Sequence, residues 1–332
     1  MGNTYGFVTT HLQDILQKAL QVLPSEHVLV IYDEQSELAR ILTQGYREAL
    51  PQGKFVEFEQ HTPAEILGFI EGLRPKDLVV LVQSTNFRLN EFRFRIELFK
   101  RDLKNIEHLH LGRMEGAQIA TYLESLAYDP AYYRVLGLKL KRDLDQAERV
   151  TVECSGTVLE YVGGVESSKL NIGDYAGMKN IGGTFPIGEV FTEARDLRKV
   201  NGEVKIFAFA GDDHRVRTFE PFRAEVRDGI LTASAAPPEF QSILKKIQED
   251  EEVLVRELGF GLNPALDKAH LVNDITAFER QMGVHLSIGA KHGLYPKPGL
   301  KRKEGRYHVD VFVDVARVMI DGKAVFENGR FF

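Results

Sequence analysis

One cysteine in 332 residues, Cys154, leaves the chain no internal disulfide to close. That fits a reduced, cytoplasmic setting. Cys154 lies in an alternating run, where a thiol packs as a small, half-buried hydrophobe rather than serving as a nucleophile. No stretch approaches eighteen uninterrupted apolar residues, so no membrane partner is expected. Met1 to Thr10 has neither a basic region nor a long apolar run, and no signal peptide is expected. A basic surplus is also missing: 42 Lys and Arg stand against 48 Asp and Glu, a net charge of −6. This argues against a nucleic-acid partner, and Lys301-Arg302-Lys303 reads as a solvated turn. Neither G-x-G-x-x-G nor G-x-x-x-x-G-K-[ST] occurs, so the common phosphate cradles are absent.

What is present is ordinary for a globular protein, with 43% hydrophobic and 27% charged residues. The length exceeds one compact core, and two domains are expected. In the first, residues 1–148, strands alternate with helices. His27 to Tyr32, Lys54 to Phe58, Asp77 to Gln83 and His108 to Leu111 read as strands. Residues 11–23, Asp33 to Ala49, Pro63 to Leu73, Leu89 to Lys104 and Gly116 to Leu126 read as helices, with Asp33 or Ser36 as a cap. That rhythm predicts an α/β domain with a parallel sheet. The polar stretches after the first and third strands, Asp33 to Ser36 and Gln83 to Asn86, read as helix caps rather than ligand loops. Near residue 148 the texture changes to short alternating strands with glycine turns, such as Val150 to Tyr161 and Gly202 to Phe209. Residues 149–332 therefore read as an α+β domain rich in antiparallel sheet, with helices at Pro238 to Glu249 and Asp274 to Met282.

The chemistry concentrates late in the chain. From His308 to Val315 polar and apolar residues alternate: His308, Asp310 and Asp314 on one face, and Val309, Val311, Val313 and Val315 on the other, with Phe312 the exception. A period of two sets His308 beside Asp310. An imidazole and a carboxylate so placed make a metal-ligand pair, with His285 as a third donor; two His and one carboxylate also form the facial triad of non-haem iron sites. A solvent-facing strand edge produces the same pattern by chance. Glu189 follows the Gly-Pro-rich turn Gly182 to Gly188, and Glu257 lies among apolar residues and glycines. Burying either is costly without a partner. Arg256 offers one partner and a bound metal another. Other titratable residues carry weaker signals. His108 and His110 read as structural or exposed, Asp212-Asp213-His214 as a turn and Lys291 as solvated, and His270 and Asp274 could face substrate.

Glu189 in Pro186-x-Gly188-Glu189-Val190-Phe191-Thr192, then Glu257, His285, His308-x-Asp310 and the closing Val325 to Arg330 tail, resemble the thermophilic aminopeptidase family in motif order. The likeness covers most of residues 150–332; the first half matches only in architecture. It implies a homodimer whose C-terminal domain holds one or two divalent ions (Zn, Co or Mn) on Glu189, Glu257, His285, His308 and Asp310. Glu257 would bridge, and Glu189 would serve as ligand or general base. His292 stands where the family has a tyrosine, and the nearest tyrosine is Tyr295. An imidazole can bind metal but cannot reproduce a phenol hydroxyl. The implied activity is removal of N-terminal residues from short peptides by metal-activated water, with Glu189 and His292 in catalytic roles. The related 2,5-dihydroxypyridine dioxygenases share the C-terminal fold. They imply instead one Fe(II) on His285, His308 and Asp310 and a small aromatic substrate. A non-catalytic metal-binding homologue is the third reading.

Overall fold

The computed structural model of the chain describes residues 6–89, 92–175, 177–290, 295, 297 and 307–332. His292, Lys291 and Lys301-Arg302-Lys303 lie outside the described residues. Two compact units divide the chain: Met1–Arg134, Asn171–Ile187 and His270–Ala277 form one, and Val135–Leu170, Gly188–Ala269 and Phe278–Phe332 the other.

The first unit is built on a parallel sheet, as the alternating rhythm predicts, but the sheet has five strands, and the fifth, Gly182–Thr184, comes from the part of the chain assigned to the second domain. The order is Gly182–Thr184, Lys104–His108, Leu78–Val82, Val28–Tyr32, Lys54–Glu57, and every pair is parallel. Val28–Tyr32 and Leu78–Val82 are unbroken apolar runs because helices cover both faces. On one face Leu29, Ile31, Val79 and Leu81 pack against Ile66, Ile70, Phe94 and Leu98. Each such side chain contributes about 1.5–3 kcal/mol when fully buried. Ser36 caps the helix Glu37–Ala49, its Oγ accepting from the Ala39 N–H at 3.2 Å. Asp33, the other candidate cap, is fully buried and accepts from the Ser84 N–H at 2.7 Å and the Gln35 N–H at 3.1 Å.

Two expectations shift here. The helix expected from Leu89 spans only Phe94–Lys100, and the strand expected at 108–111 is Lys104–His108. That strand carries Lys104, Glu107 and His108, so it does not look apolar, yet all five residues are buried. Lys104 is buried against Glu26 at 2.7 Å and Glu107 against Arg95 at 3.1 Å. Partners distant in sequence made a buried strand look exposed.

His108 ends that strand inside a closed network. Tyr122 donates to the Phe185 carbonyl at 3.0 Å, so it accepts from His108 Nδ1 at 2.9 Å; Nε2 is left to accept from Tyr46 at 2.8 Å. Burial pushes the His108 imidazole down to about 3. The unfolded value is near 6.5. A depressed folded value means the unfolded chain binds the extra proton. The stability from neutral His108 is therefore complete above about 6.5 and is lost as pH falls toward 3. Urea midpoints should decline steadily from pH 6.5 to 4, and His108→Gln should flatten that decline.

The second unit is an antiparallel sheet, part of the thirteen-stranded sheet of the chain, and this too follows the expected α+β pattern. Val150 to Tyr161 proves to be a hairpin of Arg149–Cys154 with Thr157–Val162. Four adjacent strands position the residues of interest: β1 (Glu189–Glu193), β2 (Val255–Gly261), β3 (Gly283–Gly289) and β4 (His308–Val313), side by side in that order and all antiparallel. β4 stops at Val313, two residues short of expectation. Asp314 leaves the strand and pairs with Lys268. The helix expected from Asp274 to Met282 is one turn, Ile275–Phe278. No helix among the described residues is long and apolar enough to cross a membrane.

Candidate metal centre

Register brings the five candidate residues to neighbouring positions. Across β1 and β2, Glu189 stands opposite Gly261 and Glu193 opposite Glu257. Across β2 and β3, His285 faces Gly259. Across β3 and β4, Ser287 faces Asp310 and Gly289 faces His308. Cross-strand partners project to the same side of a sheet. A register shift between Val255 and Leu258 marks a bulge across Arg256 and Glu257. Bulges re-aim side chains. Here the Glu257 N–H donates to Ser287 Oγ at 3.0 Å.

Gly259 makes the convergence sterically possible. A Cβ there would sit 2.0 Å from His285 Nε2, so the imidazole lies across bare backbone. From that position Nε2 is 3.3 Å from Oε1 of both Glu189 and Glu257. The ligand atoms of Glu189, Glu257 and His285 lie within 4.8 Å of one another, and all three residues are buried. His308 Nε2 is 3.3 Å from Asp310 Oδ1, and its Nδ1 donates to the Ala290 carbonyl at 3.2 Å. A carbonyl only accepts, so that bond fixes the tautomer and turns Nε2 inward, as around metal-ligating histidines. Asp310 Oδ1 is buried without a well-formed hydrogen bond. Buried carboxylate oxygens and imidazole nitrogens at these separations fit a divalent cation.

Charge in the site is tightly coupled. Burial opposes ionised His285, but the hydrogen bonds and charges of Glu189 and Glu257 outweigh it and push the imidazole up to about 10. For His308 burial is likewise overcome, here mainly by Asp310, and the value rises to about 10. Both folded values exceed the unfolded value of about 6.5. Their stabilisation of the metal-free protein is therefore complete below about 6.5 and is lost as pH rises through 10. A ligating imidazole must be neutral, so an incoming metal displaces these protons. Metal affinity should climb with pH between 6 and 8, about tenfold per unit for each proton displaced. Chelator-competition titrations check this; a flat profile would mean that neither histidine gives up a proton.

Neighbouring residues absent from the sequence reading complete the cluster. Arg280 is buried, and its NH1 lies 2.8 Å from Glu189 Oε2 and 2.7 Å from Glu279 Oε2. Arg256, the expected partner of the glutamates, instead approaches Glu193 at 3.7 Å and Glu251 at 3.9 Å. Glu279 and Arg280 were hidden because Asp274 to Met282 has the pattern of a helix, on which adjacent charges read as solvated. Tyr295, the nearest tyrosine, donates to the Ser167 and Phe191 carbonyls at 3.0 and 3.4 Å. Asp274 is buried in the first unit with Arg113 at 2.9 Å and caps the one-turn helix through Thr276 and Ala277.

No family model and no curated protein matches the sequence. Solved structures do. The 2,5-dihydroxypyridine dioxygenase from Pseudomonas putida KT2440 aligns over 98% of this chain and 96% of its own, with a TM-score of 0.66 and 16% identity. Wild-type AmpT from Thermus thermophilus aligns over 98% of both chains, with a TM-score of 0.61 and 15% identity. The chain shares their fold. The fold relationship expected from the motifs therefore holds over nearly the whole length, the first half included. At this identity the likeness concerns architecture and does not separate the two reactions.

Proposed function

We propose that this protein is a metal-dependent hydrolase of the aminopeptidase type, removing N-terminal residues from short peptides. The observation that carries the reading is the donor set that converges: two carboxylates and one imidazole, Glu189, Glu257 and His285. A carboxylate-rich set suits a hydrolytic centre holding Zn, Mn or Co. Such an ion, when bound, polarises a carbonyl and brings the pKa of a bound water toward about 7. The protein's own part is positional. Glu257 is aimed by its bulge and by Ser287, and His285 is set by the space over Gly259. His308, its tautomer fixed by Ala290, extends the donor set together with Asp310. An aminopeptidase neighbour over the full length supports the same reading, as does the motif order. A homodimer is part of the proposal by the same likeness.

One observation favours a second reading. Glu189 already carries Arg280 as a counter-ion, which leaves His285, His308 and Asp310 as the set with two imidazoles and one carboxylate. That set fits mononuclear Fe(II) and a ring-cleaving dioxygenase. The test is direct. Protein purified without oxygen is loaded with Zn, Mn or Co and assayed on aminoacyl-anilides and dipeptides. The same protein loaded with Fe(II) is assayed for O₂ uptake with dihydroxylated pyridines. Anilide hydrolysis without O₂ uptake is expected; O₂ uptake without hydrolysis would reverse the order of the two readings.

A further inference from the structure

We infer that Glu279, held in place by Arg280, is the proton-transfer carboxylate of this centre, and that Glu189 is reserved as a ligand. The inference rests on the hydrolase reading above, which leaves one role unfilled: a carboxylate beside the ligands to accept a proton from the attacking water and return it to the leaving amine.

Glu189 is poorly suited to that role. Its Oε1 faces His285 Nε2 at 3.3 Å and its Oε2 is taken by Arg280 at 2.8 Å. Both oxygens are committed, and the side chain is 7% exposed. Glu257 is committed as well, with Oε1 on His285 and a side chain 9% exposed. Asp310 stands beside His308 and is 7% exposed.

Glu279 differs on each point. Its Oε2 is bonded to the same Arg280 NH1 that holds Glu189, so a single nitrogen lies between it and a ligand carboxylate. Its side chain is 21% exposed, the most open among these carboxylates. Burial first, and then the nearby charges of Glu189 and Asp310, push its carboxyl well above the usual carboxylate range against the pull of Arg280 and His285. The Arg280 backbone is fixed in turn, its carbonyl accepting from the Asn263 N–H at 3.0 Å. A planar guanidinium on a fixed backbone presents its donors in a rigid fork. Here one nitrogen of that group, NH1, holds both the ligand carboxylate and the one that moves the proton, and so sets the distance between them.

In the hydrolytic step, Glu279 takes one proton from water as the water oxygen bonds to the amide carbon. The C–N bond then breaks, and the same proton passes to the departing nitrogen. The products are a carboxylic acid and a free amine, and Glu279 ends as it began.

The test is a pair of variants assayed on the metal-loaded enzyme with an aminoacyl-anilide, with metal affinity measured separately by chelator competition. Glu279→Gln is expected to lower kcat by at least about 100-fold, with KM and metal affinity unchanged. Glu279→Ala should recover part of its kcat when formate is added, since a small carboxylate can enter the vacated space. Glu189→Gln should instead lose metal affinity, with no formate rescue. Full activity in Glu279→Gln, or loss of metal from it, overturns the assignment. Rescue of a Glu189 variant by formate overturns it too. Should wild-type protein bind metal yet hydrolyse nothing, the hydrolase reading falls, and this role with it.

Discussion

Gly259→Ala is expected to weaken metal binding by about 100-fold while the protein still unfolds cooperatively. The new methyl would lie 2.0 Å from His285 Nε2 and 2.2 Å from its Cε1, far inside contact distance. The ring, not the backbone, is what it meets, so the imidazole must rotate away. It then loses its 3.3 Å approaches to Glu189 and Glu257 together. Three converging donors become two carboxylates without their imidazole. Metal affinity should fall by about 100-fold, the scale on which disturbing a ligand's orientation acts. The backbone ladder on both sides of Gly259 is untouched, so thermal unfolding should remain a single transition. Gly261→Ala makes the contrast. Its methyl would meet the Gln281 carbonyl oxygen at 1.9 Å, which is backbone and cannot swing aside. That variant should lose stability in the metal-free state, whereas Gly259→Ala should lose chiefly the metal. Equal metal affinity in Gly259→Ala and wild type would remove the steric basis of the site.

Asp310→Asn should lose function and stability together. The side chain is 7% exposed and its Oδ1 lacks a well-formed hydrogen bond. Burial raises its pKa, and the charges of His308, His285 and Arg280 bring it back below the usual carboxylate range. The neighbours therefore outweigh the desolvation cost, and removing the carboxylate leaves the His308 charge without its partner. The loss also deprives a bound ion of an anionic donor, so activity should drop by about 1,000-fold or more, the scale lost with an essential catalytic group. Metal-free Asp310→Asn should also unfold below the wild-type midpoint near neutral pH, because a carboxylate with a lowered folded pKa and the imidazole it holds protonated both stabilise the fold there. His308 should lose its main reason for a raised pKa and titrate nearer 6.5. Calorimetry on metal-free protein, with NMR titration of the histidines, checks both halves. A variant that keeps full metal content and activity would sink the assignment of β4 to the centre.

How much of this was legible beforehand differs from element to element. Leu78–Val82 and Val28–Tyr32 were readable because a strand buried on both faces needs only apolar residues, and composition alone reveals that. Lys104–His108 was not, because Glu26 and Arg95, which let Lys104 and Glu107 be buried, are far away in the chain. Ile275–Phe278 was overextended for a related reason. Helical periodicity continues through Glu279 and Arg280, but those two side chains turn to each other, and Arg280 also to Glu189.

The centre divides in the same way. Residue type and order determined which side chains could bind a metal: Glu189, Glu257, His285 and the His308–Asp310 pair carry donor atoms wherever they lie, and a period of two sets the last two on one face of a strand. Cross-strand register alone decided that they meet, since antiparallel pairing sets Glu189 opposite Gly261, His285 opposite Gly259 and Asp310 opposite Ser287. Register depends on the pairing of whole strands far apart in the chain, and no local pattern encodes it. The same holds for Arg280. Its charge is written in the sequence, but its bond to Glu189 exists only because folding removes water from both and leaves each the other's nearest counter-charge.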